Sequence, residues 1–206
     1  MKTNSKSNRK KLVAVALLLC LVLLIGGISA YFTDKTETLS NTYTIGNIEI
    51  ELTEPSWVAA NAQGIMPGDE IAKDPTVKNT GSSDAYVFVK VSIPTGKVDD
   101  VENTELFTLV NSNNQDGVNA GWVQVSRTPE TGKVTYVYAY SSGTELTTVA
   151  KNGTATLFNK VRLVNPTDTE NTDLPDGSID VTAYAIQTNN IPATTAPATV
   201  FANFGE

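Results

Sequence analysis

The stretch Ala85-Tyr86-Val87-Phe88-Val89-Lys90-Val91-Ser92-Ile93 decides the fold. It is built mainly of β-branched and aromatic residues, which suit a pleated, packed surface better than a helix. Its first half is apolar on both faces and its second half alternates, as expected of a central strand that ends at Pro94. Period two recurs on either side of it. In Tyr43-Thr44-Ile45-Gly46-Asn47-Ile48-Glu49-Ile50-Glu51-Leu52 apolar residues alternate with Thr or Glu, and Gly46-Asn47 shifts the phase as a bulge would. The runs 122–126, 134–140, 156–164 and 179–186 add four more strands. Turn signals separate them: Pro67-Gly68-Asp69, Asn79-Thr80-Gly81, Asp116-Gly117, Thr131-Gly132, Ser142-Gly143, Asn152-Gly153 and Asp176-Gly177. Thr131-Gly132 is the best hairpin candidate. Several short strands at this spacing predict an all-β antiparallel sandwich or barrel with little helix. One helical turn is expected within 100–110 and a short helix at the end of 193–204.

The first thirty residues have a different composition. Lys2, Lys6, Arg9, Lys10 and Lys11 precede an uncharged run over 12–28, and Ser29-Ala30 supplies small residues before polar sequence begins. A basic start, an apolar middle and a small-residue exit predict a secretory signal peptide cleaved after Ala30. The apolar run has seventeen residues, short of the roughly 20 that cross a bilayer. The membrane is therefore expected to matter only through the uncleaved signal. Cys20, the sole cysteine, lies within that run as an apolar packing residue, and no small residue precedes it as a lipoprotein site would require. Residues 31–206 are expected to form one domain with neither thiol nor disulfide, stabilised by its core alone. Removing five of the 15 Lys and Arg and none of the 22 Asp and Glu leaves a net charge of −12. Such acidity disfavours nucleic acid, which needs clustered cations.

Most enzyme chemistry is missing. The chain has no histidine, so the commonest general base and zinc ligand are absent. Nucleophile-elbow, phosphate-loop and dinucleotide motifs do not occur, and the expectation is no catalytic residue and no cofactor. Two loops are calcium candidates: Asn111–Gly117, and a longer one with Asp168, Glu170, Asp173 and Asp176. Neither follows EF-hand spacing, and a solvated turn is the preferred reading. Leu174-Pro175-Asp176-Gly177 lacks the threonine and following apolar tail of a sorting signal. Trp57 and Trp122 are read first as core residues, and as lining a ligand site only if the domain is an adhesin.

Residues 26–34 (Gly-Gly-Ile-Ser-Ala-Tyr-Phe-Thr-Asp) and 41–50 (Asn-Thr-Tyr-Thr-Ile-Gly-Asn-Ile-Glu-Ile) resemble the start of the TasA/camelysin (CalY) proteins of Gram-positive bacteria. The block Met66-Pro67-Gly68-Asp69 through Lys73-Asp74-Pro75, Val77, Asn79 and Gly81, followed by 85–91, resembles a second segment of that family. The resemblance implies a jelly-roll β-sandwich whose signal is cut between Ala30 and Tyr31 by a SipW-type peptidase. It also implies a secreted subunit, at the cell surface or in the extracellular matrix, that polymerises into biofilm fibres with itself and a paralogous matrix subunit. In such fibres a donor segment, about residues 31–45 with Tyr31, Phe32, Leu39, Tyr43 and Ile45, adds as a strand to the next copy. A backbone edge with unpaired N–H and C=O groups is a physical template for that step. The alternatives are a monomeric adhesin, an accessory anchoring subunit, and the metalloprotease activity attributed to camelysins, which the lack of histidine argues against.

Overall fold

Ala85–Val98 forms the longest strand, β4, and the fold is arranged around it. The structure is a computed structural model and describes residues 46–205. The expected signal peptide over 1–30, the expected cleavage junction Ala30–Tyr31 and Tyr31, Phe32, Leu39, Tyr43 and Ile45 lie outside the described residues. Three short strands precede β4: β1 (Ile50–Thr53), β2 (Glu70–Ala72) and β3 (Thr76–Asn79). After it come β5 (Val101–Glu105), β6 (Phe107–Val110), β7 (Trp122–Glu130), β8 (Lys133–Tyr140) and β9 (Thr148–Val149). Then follow β10 (Thr154–Thr156), β11 (Lys160–Leu163) and β12 (Asp180–Gln187). Helix is confined to α1 (Pro197–Phe201) and two 3₁₀ turns, Ala59–Ala62 and Ala202–Phe204.

Two antiparallel sheets stack face to face. One runs β12-β4-β8-β7, with β5 and β9 attached to β4. The other is a single four-stranded layer with a break across its middle. Ile71 faces Val161 and Val77 faces Ala155, the same register on both sides of the break. Lys73 N–H donates to the Asn159 carbonyl at 3.2 Å, and Leu157 N–H donates to the Pro75 carbonyl at 3.0 Å, so the ladder continues through it. The interruption falls at Pro75, which has no N–H to give. This layer is therefore β1, then β3 with β2, then β10 with β11, then β6. The chain crosses repeatedly between the two layers, the wiring of a jelly-roll sandwich.

The doubly apolar start of β4 is explained by what covers each face. Val87, Val89, Val91 and Ile93 point into the inter-sheet core with Val77, Leu157, Phe158 and Val161. Tyr86 and Phe88 point the other way, where the C-terminal segment closes a second cluster. There Phe88 meets Phe201 at 5.6 Å and Phe204 at 5.9 Å between ring centroids. Burying such aromatic rings accounts for the ordering of the tail around α1.

Two expectations are corrected. β4 does not end at Pro94: it continues to Val98. Pro94 faces Lys133 in a non-bonded pair, so its missing N–H would point to the β12 side, where pairing already stops at Asp180 opposite Ser92. The segment 100–110 holds strands rather than a helical turn. Asp99 (φ 49°) and Asp100 (φ 66°) both take left-handed backbone, the two-residue turn that lets β5 fold back on β4. By contrast the Thr131-Gly132 hairpin joins β7 and β8 as expected, Glu130 facing Lys133.

Candidate assembly site

The two edges of the β12-β4-β8-β7 sheet differ in chemistry. β7 carries a register shift between Gln124 and Ser126, a proline at Pro129, and the charges of Arg127 and Glu130. These features blunt an edge against further pairing. β12 has the sequence Asp180-Val181-Thr182-Ala183-Tyr184-Ala185-Ile186-Gln187, with no proline, no lysine and an unbroken register on β4. Thr95 N–H donates to the Gly132 carbonyl (3.0 Å), so the odd-numbered residues of β4 bond towards β8 and the even-numbered ones towards β12. It follows that Asp180, Thr182, Tyr184 and Ile186 spend their backbone groups on β4. Val181, Ala183 and Ala185 turn theirs outward, and among the described residues no strand pairs with that side.

β1 passes beside β12 without bonding to it. Past Thr53 the seam between the two sheets opens into two adjoining cavities of about 310 and 430 Å³. The first has Ile71, Phe107 and Val161 of the short-stranded sheet for a floor and Ile179, just before β12, for a wall. The second extends it between Leu106, Leu163, Leu174 and Pro175. Over both lies the connection from β1 to β2, whose Ala62, Gln63 and Ile65 line each cavity.

That connection is tied down at its ends. Ser56 gives its N–H and its hydroxyl to the two oxygens of Asp74, at 2.8 and 2.7 Å. Lys73, only 7 % exposed, places Nζ 2.6 Å from Glu54 Oε1 and 5.0 Å from the centre of the Trp57 ring. A buried ammonium needs such a partner. At the far end Met66 N–H donates to Asp69 Oδ2 at 2.8 Å. Trp57 itself is 37 % exposed, so the core reading fails for it. It holds for Trp122, which is buried, donates from Nε1 to the Thr156 carbonyl at 3.0 Å and meets Tyr140 edge to face at 5.3 Å.

The two ends of the sandwich are not equivalent. The cavities lie at the end where β12 begins. The described chain starts at the other end, where Asn47 N–H bonds Ser82 Oγ (2.9 Å) in the turn leading to Ala85, opposite Gln187. From there β1 runs antiparallel to β3, which makes it antiparallel to β12 as well.

The acidic-loop candidates do not converge, and of them only Asp176 borders a cavity. Asp168 Oδ1 accepts from the N–H of Glu170 (3.0 Å) and Oδ2 from the Asn171 amide (2.8 Å). Those bonds, the Asn171 amide foremost, hold its carboxyl below the usual range. The N–H groups of Asp168 and Thr167 do the same for Asp99, which the sequence reading passed over. Asp173 pairs by its backbone with Lys97. Glu170 is exposed, and Asp176 stands on the cavity rim. In the other loop, Asn111 Oδ1 accepts from the N–H groups of Asn113 and Gln115, closing a turn on itself.

Architecture and seam together describe an all-β sandwich of jelly-roll type in which, among the described residues, the outer side of β12 is left unpaired. A family model described as camelysin metallo-endopeptidase matches residues 8–120, and the chain belongs to that family. A comparison with curated proteins returns no match. The family name implies a metal, and the donor set does not fit one. The chain has no histidine, its one cysteine lies outside the described residues, and among those residues no three of Asp, Glu, His or Cys are grouped to hold an ion.

Proposed function

We propose that the chain is a secreted structural protein that polymerises head to tail into extracellular matrix fibres, the leading segment of one copy adding to the open seam of the next. Residues 1–30 direct export, a SipW-type peptidase cuts between Ala30 and Tyr31, and the product stays at the surface or in the matrix of a Gram-positive cell. The observation that carries this reading is the polarity of the sandwich. The chain enters at one end and the cavities open at the other. Copies stacked by simple translation thus bring the entrance of one to the groove of the next, and such an arrangement propagates without closing.

Strand direction supports exchange over self-insertion. A leading segment continuing straight out from β1 meets the neighbour's β12 antiparallel, the sense of every other pair in that sheet. Folded back on its own β12 it would lie parallel, a slightly weaker pairing. Fifteen residues, 31–45, span at most about 50 Å when extended. That exceeds the length of an eight-residue strand, roughly 27 Å. Entry would pair the outward N–H and C=O groups of β12, while Tyr31, Phe32 or Leu39 supply apolar side chains for the cavities.

The test is electron microscopy of the purified chain beginning at Tyr31, with and without residues 31–42. Filaments are expected from the first and none from the second; unchanged filaments after the deletion would sink the donor role. The same preparation is expected to leave casein intact with or without a chelator. Chelator-sensitive cleavage would restore the peptidase reading.

A further inference from the structure

We infer that the strap 54–66 is a displaceable cover, closing the seam of a free subunit and swinging aside when the leading segment of a second copy enters. This rests on the assembly reading above. The polar fastenings of the strap lie near its ends, Ser56 to Asp74, Glu54 and the Trp57 ring to Lys73, and Met66 to Asp69. Between those points its backbone bonds are local: Trp57 to Glu54, Asn61 to Val58 and Gln63 to Ala60. Gly64, at φ +63° and with open space where a Cβ would stand, supplies a hinge at the Met66 end.

Its packing is shallow: Ala62 and Ile65 rest half-buried against the core, Glu54 is half-buried, and every other residue of 54–66 is exposed. Beneath it lie two clefts of about 310 and 430 Å³, open to solvent on one side and lined by Ile71, Phe107 and Val161 in the first and Leu106, Leu163 and Leu174 in the second. Above it, Val58 (51 % exposed) and Met66 (64 %) face outward. The occupant is the segment 31–45 of a second copy, because the strap lies over the end of the groove that faces the neighbour's entrance in a translated stack. Polar fastenings suit this role, since each can be exchanged for water when the strap lifts.

The experiment uses the chain beginning at Tyr31, with the double change Ser56→Ala and Glu54→Gln to loosen the fastenings. Two readouts are taken: acrylamide quenching of tryptophan fluorescence in the unassembled protein, and the lag before light scattering rises. Trp122 is buried, so the quenchable signal belongs to Trp57. Loss of about one charge-assisted hydrogen bond should raise the open population roughly tenfold, with quenching increased and the lag shortened several-fold. Trp57→Ala, which alters a half-exposed side chain without touching the core, should shorten the lag in the same way. An unchanged or longer lag in both variants, or quenching that does not rise in the double variant, overturns the cover. Absence of filaments from the unaltered chain instead overturns the assembly reading, so the two failures are told apart.

Discussion

At the scale of single residues, the polar groups that matter most are buried and fully used. Asn79 has no exposed surface. Its amide donates to the carbonyls of Ser83 (2.8 Å) and Val149 (2.9 Å), and its Oδ1 accepts from Gly81 N–H (3.0 Å). It thereby stitches the β3–β4 turn to β9 across the end of the sandwich where the described chain begins. Replacing it strands the buried Val149 carbonyl and the half-buried Ser83 carbonyl, while Gly81 N–H keeps the Glu49 carbonyl at 3.0 Å; each group left unmade costs about 1–3 kcal/mol. Asn79→Ala should lower stability by about 2–3 kcal/mol, read as a drop in the urea midpoint at constant slope. Asp100 offers the opposite case. It holds φ 66° with an exposed side chain whose partner, Lys97, is an ion pair on the surface. Left-handed backbone costs a non-glycine residue about 1 kcal/mol, and such surface pairs contribute little. Asp100→Gly should therefore raise the thermal midpoint slightly; a fall would show that the aspartate side chain carries the turn.

At the scale of elements, β7 is blunted by a register shift and Pro129 whereas β12 keeps an unbroken register, so the proposed assembly assigns growth to β12. Val181 turns its N–H away from β4 and lies at the groove end of β12, so Val181→Pro removes a donor from the free edge without removing one from the ladder. Filament formation should fail while the far-ultraviolet dichroism of the subunit stays β. Filaments from that variant would place the growing edge elsewhere. The hairpin of β4 and β5 shows a second way in which one element supports another. Asp99 at its tip accepts two N–H groups and a hydroxyl from Thr167 and Asp168, and so holds the loop that leads towards Leu174 and the second cavity.

At the scale of the whole molecule, charge and acid response follow from these carboxylates. Asp99 and Asp168 are depressed below 3.8 by hydrogen bonds, and Glu70 below 4.5 by Lys160 and Arg162. A carboxyl depressed on folding contributes stability that is complete above its unfolded value and is lost as pH falls through its folded one. The thermal midpoint should hold from neutral pH to about pH 5, then decline as pH drops through and below the ordinary carboxylate range. Asp99→Asn should start lower at pH 7 and decline less steeply. Parallel curves for the two proteins would remove Asp99 from the account.

Residue types and their spacing determined the β class, the central position of 85–93, the 131–132 hairpin and the short terminal helix, because each depends on patterns a few residues long. The family was legible for the same reason, through local blocks such as 66–81. What lay beyond sequence was every feature set by residues distant along the chain. Pro94 reads as a strand end until the neighbouring strand is known to have stopped before it. The segment from Asp100 reads as room for one helical turn, yet pairing between β4 and β5 makes Asp99-Asp100 a strand-to-strand turn. Trp57 has the composition of a core residue and lies over a cavity only because Lys73 and Asp74 hold its segment there. The open seam is the clearest case. No single strand encodes it, since it exists where β1 stops short of the end of β12, and only the packing of two sheets brings those ends together.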